Sequence, residues 1–254
     1  MKKNEFVLVY DSGIGGLTTL AQMMKTCPTL NYIYFADTKN CPYGNKCKSE
    51  LNNLILSNIK SLQRKYTISH IVLACNTATT SSISHLREHL SIPIIGTEPN
   101  VMTPNRLGYK KILVLATPAT AKTKKLCMLE NKLTSTTHNI GIPSLAKLIE
   151  EYKVNDKKES LVKSHKIINK VLKNVDNTTA IVLGCTHYVY LKTYIENKGY
   201  KCYDGNTGVA KRLLSLTKDR SITKNSVKLI MITDSVRTNL IYKRILSIYK
   251  NKLQ

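Results

Sequence analysis

Two stretches of this chain share one pattern. Ile71–Ala78 reads Ile-Val-Leu-Ala-Cys-Asn-Thr-Ala, and Ile181–His187 reads Ile-Val-Leu-Gly-Cys-Thr-His. Each is a short β-branched apolar run that stops at a small residue, then a cysteine, then hydrogen-bonding residues. A run with no polar alternation suits a parallel strand covered on both faces. In open sheets of that kind, ligands bind beyond the carboxyl ends of the strands. A single strand-end cysteine reads as an ordinary core residue. Two in the same context, each followed by polar groups, read as paired functional thiols, Cys75 and Cys185, on equivalent strands of two related halves.

The rest of the chain supports two such halves. Phe6–Tyr10 is predicted as a first strand, followed by the turn Asp11-Ser-Gly-Ile-Gly-Gly-Leu and a helix over Thr18–Lys25. The glycines do not form a dinucleotide fingerprint, because the third falls where Thr18 stands. They are read instead as letting the backbone approach a small anion at a helix start. Strands are predicted at Asn31–Ala36, Ile71–Ala74 and Ile92–Gly96, with helices at Leu51–Lys65 and Thr77–Leu90. The pattern then restarts with a strand at Lys111–Leu115 and a helix at Ala119–Glu130. A weak strand at Asn139–Pro143, helices at Ser144–Tyr152 and Ser160–Asn174, and strands at Ala180–Leu183 and Tyr200–Tyr203 follow. The helix at Ser160–Asn174 is amphipathic through Ile167, Ile168, Val171 and Leu172. A helix at Gly208–Leu216, a strand at Ser226–Ile232 and a helix at Ser235–Tyr249 end the chain. The two cysteines lie 110 positions apart, and the first strands of the halves 105. The expected fold is therefore α/β, with two pseudo-symmetric Rossmann-like domains whose parallel sheets face a central cleft. Residues 1–97 plus 208–254 form a discontinuous first domain and 98–207 the second.

Several classes of function are disfavoured. No apolar run reaches the length of a membrane span, and Val7–Tyr10 is too short for a signal peptide. Seven cysteines, an odd number with no C-x-x-C pair, fit neither a disulfide framework nor a zinc ribbon. A cytoplasmic protein with free thiols and no metal is expected. The net charge of +23 is high, and residues 208–254 carry eleven Lys or Arg against two Asp. No aromatic-interleaved basic stripe of the kind that binds nucleic acid appears, so the charge is read as a lysine-rich surface.

The motifs also carry a resemblance. Asp11-Ser-Gly-Ile-Gly-Gly-Leu, Tyr34-Phe-Ala-Asp-Thr, Cys41-Pro-Tyr-Gly, Ala74-Cys-Asn-Thr-Ala-Thr, Ile95-Gly-Thr-Glu-Pro and Leu183-Gly-Cys-Thr-His-Tyr stand in the order seen in glutamate racemases. The sequence resembles that family, within the aspartate/glutamate racemase superfamily, over nearly its whole length. The resemblance implies two α/β domains enclosing the substrate. It implies cofactor-independent interconversion of L- and D-glutamate, supplying D-glutamate for peptidoglycan. It places the acid/base thiols on Cys75 and Cys185, with Asp11, His187 and Glu150 assisting. It places substrate contacts on Asp11, Ser12, Tyr43, Gly44, Asn76, Thr77, Thr186 and His187, with Asp37, Thr117 and Thr120 in support. The chain departs from the family's pattern at Ile142-Pro143, Ala116-Thr117 and Asp204-Gly205-Asn206.

The chemistry needs such a set. Racemisation takes a proton from one face of the α-carbon and returns one on the other, so two opposed groups are required. A thiol titrates near neutrality, and a modest perturbation makes thiolate available. The substrate carboxylates need donors, which Ser12, Asn76, Thr77, Thr186 and the Gly44 N–H offer. Helix starts at Thr77 and beyond His187 are expected to favour negative charge. A racemase for another amino acid such as aspartate is the near alternative. A basic nucleic-acid-binding protein on a racemase fold is the alternative from another class. A homodimer is compatible with the sequence but not specified by it.

Overall fold

The computed structural model describes residues 5–217 and 227–253. Its strands are β1 (Glu5–Asp11), β2 (Tyr32–Ala36), β3 (Thr67–Leu73), β4 (Ile94–Gly96), β5 (Lys111–Ala116), β6 (Thr136–Gly141), β7 (Ala180–Gly184), β8 (Lys201–Tyr203) and β9 (Leu229–Ile232). Its helices are α1 (Gly16–Thr26), α2 (Lys48–Gln63), α3 (Asn76–His89), α4 (Met102–Arg106), α5 (Pro118–Ala121), α6 (Lys124–Glu130), α7 (Leu145–Asn155), α8 (Lys158–Leu172), α9 (Lys192–Glu196), α10 (Asn206–Thr217) and α11 (Val236–Leu253). The chain divides into one unit of Met1–Thr97 with Asn206–Gln254 and a second of Glu98–Gly205.

In the first unit the strands run β4-β3-β1-β2-β9, all parallel. β1 is central and buried from Phe6 to Asp11, which is why it reads as an unbroken apolar run. Helix α2 presents Leu51, Ile55, Ile59 and Leu62 at helical spacing to Leu8, Ile33, Ile71 and Leu73. Each such side chain contributes about 1.5–3 kcal/mol by leaving water. The second unit repeats the plan with β6-β5-β7-β8, again all parallel. β7 is wholly buried, whereas edge strand β6 alternates and is only partly covered. Ile112, Val114, Ala180 and Val182 pack with Leu126 at its centre.

The helix expected over Ala119–Glu130 is broken into α5 and α6. Thr123 makes the break: its hydroxyl donates to the Thr120 carbonyl at 3.0 Å and accepts from the Leu126 N–H at 3.3 Å. One side chain thus ends one helix and caps the next. Short 3-10 segments at Thr38–Asn40, Tyr43–Asn45 and Thr186–Leu191 stand where loops or a helix start were expected. The strand predicted at Ser226–Ile232 forms as β9; Ser226 itself lies outside the described residues, as do Lys218, Arg220 and Lys224 of the basic tail. Lys211, Arg212, Lys243 and Arg244 are exposed. No helix among the described residues is long and apolar enough to cross a membrane.

The return of the chain to the first unit is fixed at Asn206. Its side-chain oxygen accepts from the Thr19 hydroxyl at 2.7 Å, and its amide donates to the Thr18 hydroxyl at 3.1 Å. All three residues are buried. Asn206→Ala takes the acceptor from the buried Thr19 hydroxyl, while Thr18 still donates to the Gly15 carbonyl at 3.1 Å, and a loss of about 1–3 kcal/mol is expected in urea unfolding.

Large tyrosines fill much of the remaining core: Tyr10, Tyr32, Tyr43 and Tyr188 are all fully buried. Burial pushes each phenol well above its ordinary value, because the phenolate has no water to solvate it. A group whose pKa is raised on folding contributes stability that is complete below its unfolded value. That contribution falls as pH climbs from the unfolded value towards the folded one. Stability should therefore decline above about pH 10, the unfolded tyrosine value. A denaturant midpoint that holds steady there would contradict this.

Candidate active site

The ladder of the first sheet runs on past its strands. The Asp37 N–H donates to the Asp11 carbonyl at 3.0 Å, Ala74 N–H to the Tyr10 carbonyl at 2.9 Å, and Thr97 N–H to the Leu73 carbonyl at 3.1 Å. These bonds fix Asp11, Asp37, Cys75 and Thr97 at the carboxyl edge of four neighbouring strands. Gly16 lets α1 start against that edge. A Cβ there would stand 2.8 Å from Asp11 Cβ and 2.9 Å from Ala74 Cβ, closer than real side chains approach. The turn between β1 and α1 is closed internally. Asp11 Oδ1 takes the Gly13 N–H at 2.9 Å, and the Tyr34 hydroxyl donates to the Gly13 carbonyl at 2.6 Å. The expectation that this glycine turn offers its amides to an anion is corrected for Gly13, whose N–H is already engaged. Asp11 and Ser12 are both buried.

Cys75 is the N-cap of α3. Its sulfur accepts the Ala78 N–H at 3.4 Å, and its carbonyl accepts the Thr79 N–H at 3.0 Å. The Ala78 amide and the positive end of a helix of 14 residues thus both face this sulfur. Asn76 and Thr77 form the first turn of α3 and are buried; the Asn76 amide donates to the Thr97 carbonyl at 3.3 Å. Thr79 braces this corner from below, donating to the Leu73 carbonyl at 3.1 Å and accepting the Thr97 N–H at 3.0 Å.

Tyr43 and Asp37 meet here, together with two residues not singled out from sequence, Tyr10 and Asn58. The Tyr43 hydroxyl donates to Asp37 Oδ2 at 2.6 Å. Its one proton is then spent, so the 2.7 Å contact between the Tyr10 and Tyr43 hydroxyls has Tyr10 as donor. The Asn58 amide donates to the Tyr10 hydroxyl at 2.9 Å and to Asp37 Oδ2 at 3.3 Å. The Asn40 amide reaches Asp37 Oδ1 at 2.9 Å. The proton order Asn58, Tyr10, Tyr43, Asp37 is thereby fixed. For Tyr10 and Tyr43, burial is the main reason that both hydroxyls stay protonated donors, and the nearby Asp37 charge adds to it. A charge on Cys75 raises Tyr10 further, which places that thiol within electrostatic reach of the chain. Gly44 follows in the 3-10 segment and is partly exposed. The sequence signals for the missed pair were slight: a strand tyrosine beside Asp11 that needs a partner, and one asparagine among the apolar positions of α2.

In the second unit Cys185 ends β7 and is buried. The segment after it, Thr186–Leu191, is a 3-10 turn and not the α-helix start expected, and Cys185 makes no cap bond. The two thiols therefore differ in local electrostatics despite matching sequences. His187 Nε2 lies 2.7 Å from Glu150 Oε2 on α7. The carboxylate only accepts, so Nε2 carries the proton. Tyr188 anchors the turn: its hydroxyl donates to the Ile142 carbonyl at 2.9 Å and reaches the Ala116 carbonyl at 3.3 Å. Ile142 holds this turn through its backbone carbonyl, and its side chain is buried. Thr186 is buried beside His187 in sequence. Thr117 caps α5, accepting the Thr120 N–H at 3.3 Å and donating to its hydroxyl at 3.1 Å, so the pair holds the turn after β5. Asp204 pairs with Lys192 at 3.2 Å.

Comparison with known proteins adds a separate line of support. The sequence model of the family described as Asp/Glu/Hydantoin racemase matches residues 19–213. A curated glutamate racemase of Leptospira interrogans is 36% identical over 97% of this chain and 93% of its own length. The crystal structure of Escherichia coli glutamate racemase, in complex with L-glutamate and the activator UDP-MurNAc-Ala, superposes with a TM-score of 0.83. It is 25% identical and covers 97% of this chain and 95% of its own. The glutamate racemase of Francisella tularensis, in complex with D-glutamate, gives a TM-score of 0.76 at 26% identity over 96% and 94% of the two chains. With its two parallel sheets and a buried cysteine at the tip of one strand in each, this chain belongs to the Asp/Glu/Hydantoin racemase family.

Proposed function

We propose that this protein is a cofactor-independent glutamate racemase, using Cys75 and Cys185 as the two acid/base groups. The observation that carries the reading is the buried thiol at the carboxyl end of one inner strand in each unit, at β3 and β7. The relatives named above support glutamate as substrate, since members with each enantiomer bound share this fold.

In this mechanism one thiolate removes the α-proton and the other thiol delivers a proton to the opposite face. One sulfur starts charged and the other protonated. The Ala78 amide and the α3 dipole favour the charge on Cys75. His187, two residues beyond Cys185, is held through Nε2 by Glu150 and so has a set tautomer for assisting that thiol. Asp11 orders the turn before α1, and Tyr43 presents a hydroxyl whose proton direction is set by Asp37. Ser12, Gly44, Asn76, Thr77 and Thr186 supply donors for the substrate's carboxylates. Asp37, Thr117 and Thr120 hold these positions. The product D-glutamate would serve peptidoglycan synthesis. Seven free cysteines support a reducing cytoplasmic setting. No step in this scheme draws on a second copy of the chain, so a homodimer is not part of it, and nucleic acid has no role in it.

Circular dichroism of L- or D-glutamate solutions should decay to zero with purified enzyme after exhaustive dialysis. Decay on aspartate instead would move the substrate to the shorter acid. Cys75→Ser and Cys185→Ser should each lower racemisation by about 100-fold to 10,000-fold or more, since a hydroxyl replaces the thiolate base. The resemblance to glutamate racemases implies that Cys75 takes the α-proton of D-glutamate and Cys185 that of L-glutamate, so with a β-leaving-group analogue Cys75→Ser should retain elimination from the L-enantiomer and Cys185→Ser from the D-enantiomer. Near wild-type racemisation by either folded variant would end the two-base assignment.

Glu150→Gln and His187→Asn test the second half-site. Both should slow exchange of the L-glutamate α-proton with solvent more than that of D-glutamate, with kcat falling further than KM changes. Equal effects on the two enantiomers would limit the pair to binding.

A further inference from the structure

A cluster of metal-ligating side chains lies outside the proposed chemistry, on the last turn of α3. His85-Leu-Arg-Glu-His89 places two imidazoles at i and i+4 and a carboxylate at i+3, hence on one helix face. This is the spacing of helix-borne zinc ligands. One ligand atom from each of His85, Glu88 and His89 lies within 4.8 Å of the others, and the two rings stand 4.1 Å apart.

Two further observations point to a cation. His89 Nδ1 is 2.8 Å from the His85 carbonyl, which can only accept, so Nδ1 carries the proton. In the neutral ring Nε2 is then left as a lone pair. A ring N–H donated to a backbone carbonyl is the usual arrangement behind a metal-bound histidine. Secondly, His85 Nε2 is sealed from water and has no hydrogen-bond partner. A buried ring nitrogen without a partner carries a penalty that a metal bond would relieve. Arg87, between them in sequence, is engaged elsewhere, donating to the Ile94 carbonyl at 2.9 Å. The helix end itself favours positive charge, because unsatisfied carbonyls gather there. The net charge of +23 opposes general attraction of cations, so ligation must supply the affinity.

We propose that His85, Glu88 and His89 bind one divalent first-row cation of the zinc or nickel type, which staples the last turn of α3. Ligands about 2.0–2.1 Å from zinc stand roughly 3.3 Å apart in a tetrahedral site. Exposed Glu88 and His89 close that gap by rotating inward, replacing the tilted ring contact with the metal. Water completes the coordination. The cation sits at the opposite end of α3 from Cys75, so it steadies the helix that the thiol caps and takes no part in proton transfer.

The test uses the full-length, untagged, metal-stripped protein titrated with nickel ions in a calorimeter, and with cobalt ions in an absorption spectrometer. Wild type should bind one equivalent with a dissociation constant on the order of 10 µM or tighter, without the intense sulfur-to-cobalt band of thiolate ligation. Its thermal midpoint should rise by several degrees. His89→Ala, and separately Glu88→Ala, should weaken binding at least tenfold and abolish the thermal shift. Both exposed variants should keep the wild-type circular dichroism spectrum and metal-free turnover. Binding unaffected by either substitution, a thiolate-type cobalt spectrum, or wild-type affinity weaker than about 1 mM would each overturn the proposal.

Discussion

Parallel pairing of β1 with both β2 and β3 is the constraint on which the first unit rests. Parallel strands need crossovers, and the crossover helices cover both faces of the sheet. The strands must then be apolar on both sides, and polar groups survive only at their ends. Every strand points the same way, so those ends share one edge. Asp11, Asp37 and Cys75 are therefore neighbours by topology, although the sequence separates them by up to 64 positions. The second unit meets the same constraint with β5 and β7, and places Thr117 and Cys185 at its own edge.

On that edge, hydrogen bonding decides what each group does. Burial keeps the Tyr10 and Tyr43 phenols protonated, and the single proton on each oxygen gives the chain from Asn58 to Asp37 one direction. The Tyr43 hydroxyl is held in place by that chain and not by packing alone. In the second unit Glu150 performs the matching task, fixing which nitrogen of His187 is protonated. A carboxylate that only accepts thus sets the proton order in both units.

The thiols show how a repeated sequence yields unequal chemistry. Cys75 ends a strand that runs directly into an α-helix and takes an amide from its first turn. Cys185 runs into a 3-10 turn held by Tyr188 and has no cap bond. The same strand-end motif thus sets its two thiols in different hydrogen-bonding surroundings.

Much of this was readable from the chain alone. Apolar runs ending in small residues fixed the strands, and the duplication of Ile-Val-Leu before a small residue and cysteine revealed two related α/β halves. These features are local: backbone periodicity and strand ends are written in adjacent residues. The motif order likewise points to the racemase family. Only the tertiary structure decided the partners of buried polar atoms. Tyr10 with Asn58, Asn206 with Thr18 and Thr19, and Tyr188 with the Ile142 carbonyl join segments 46 to 188 positions apart. It also decided the break at Thr123 and the closing of the Asp11 turn onto Gly13, where one side-chain oxygen competes with the helix or an anion for the same amides. A hydrogen bond depends on tenths of an ångström between groups that the sequence does not place side by side, so its partners are chosen only when the core has packed.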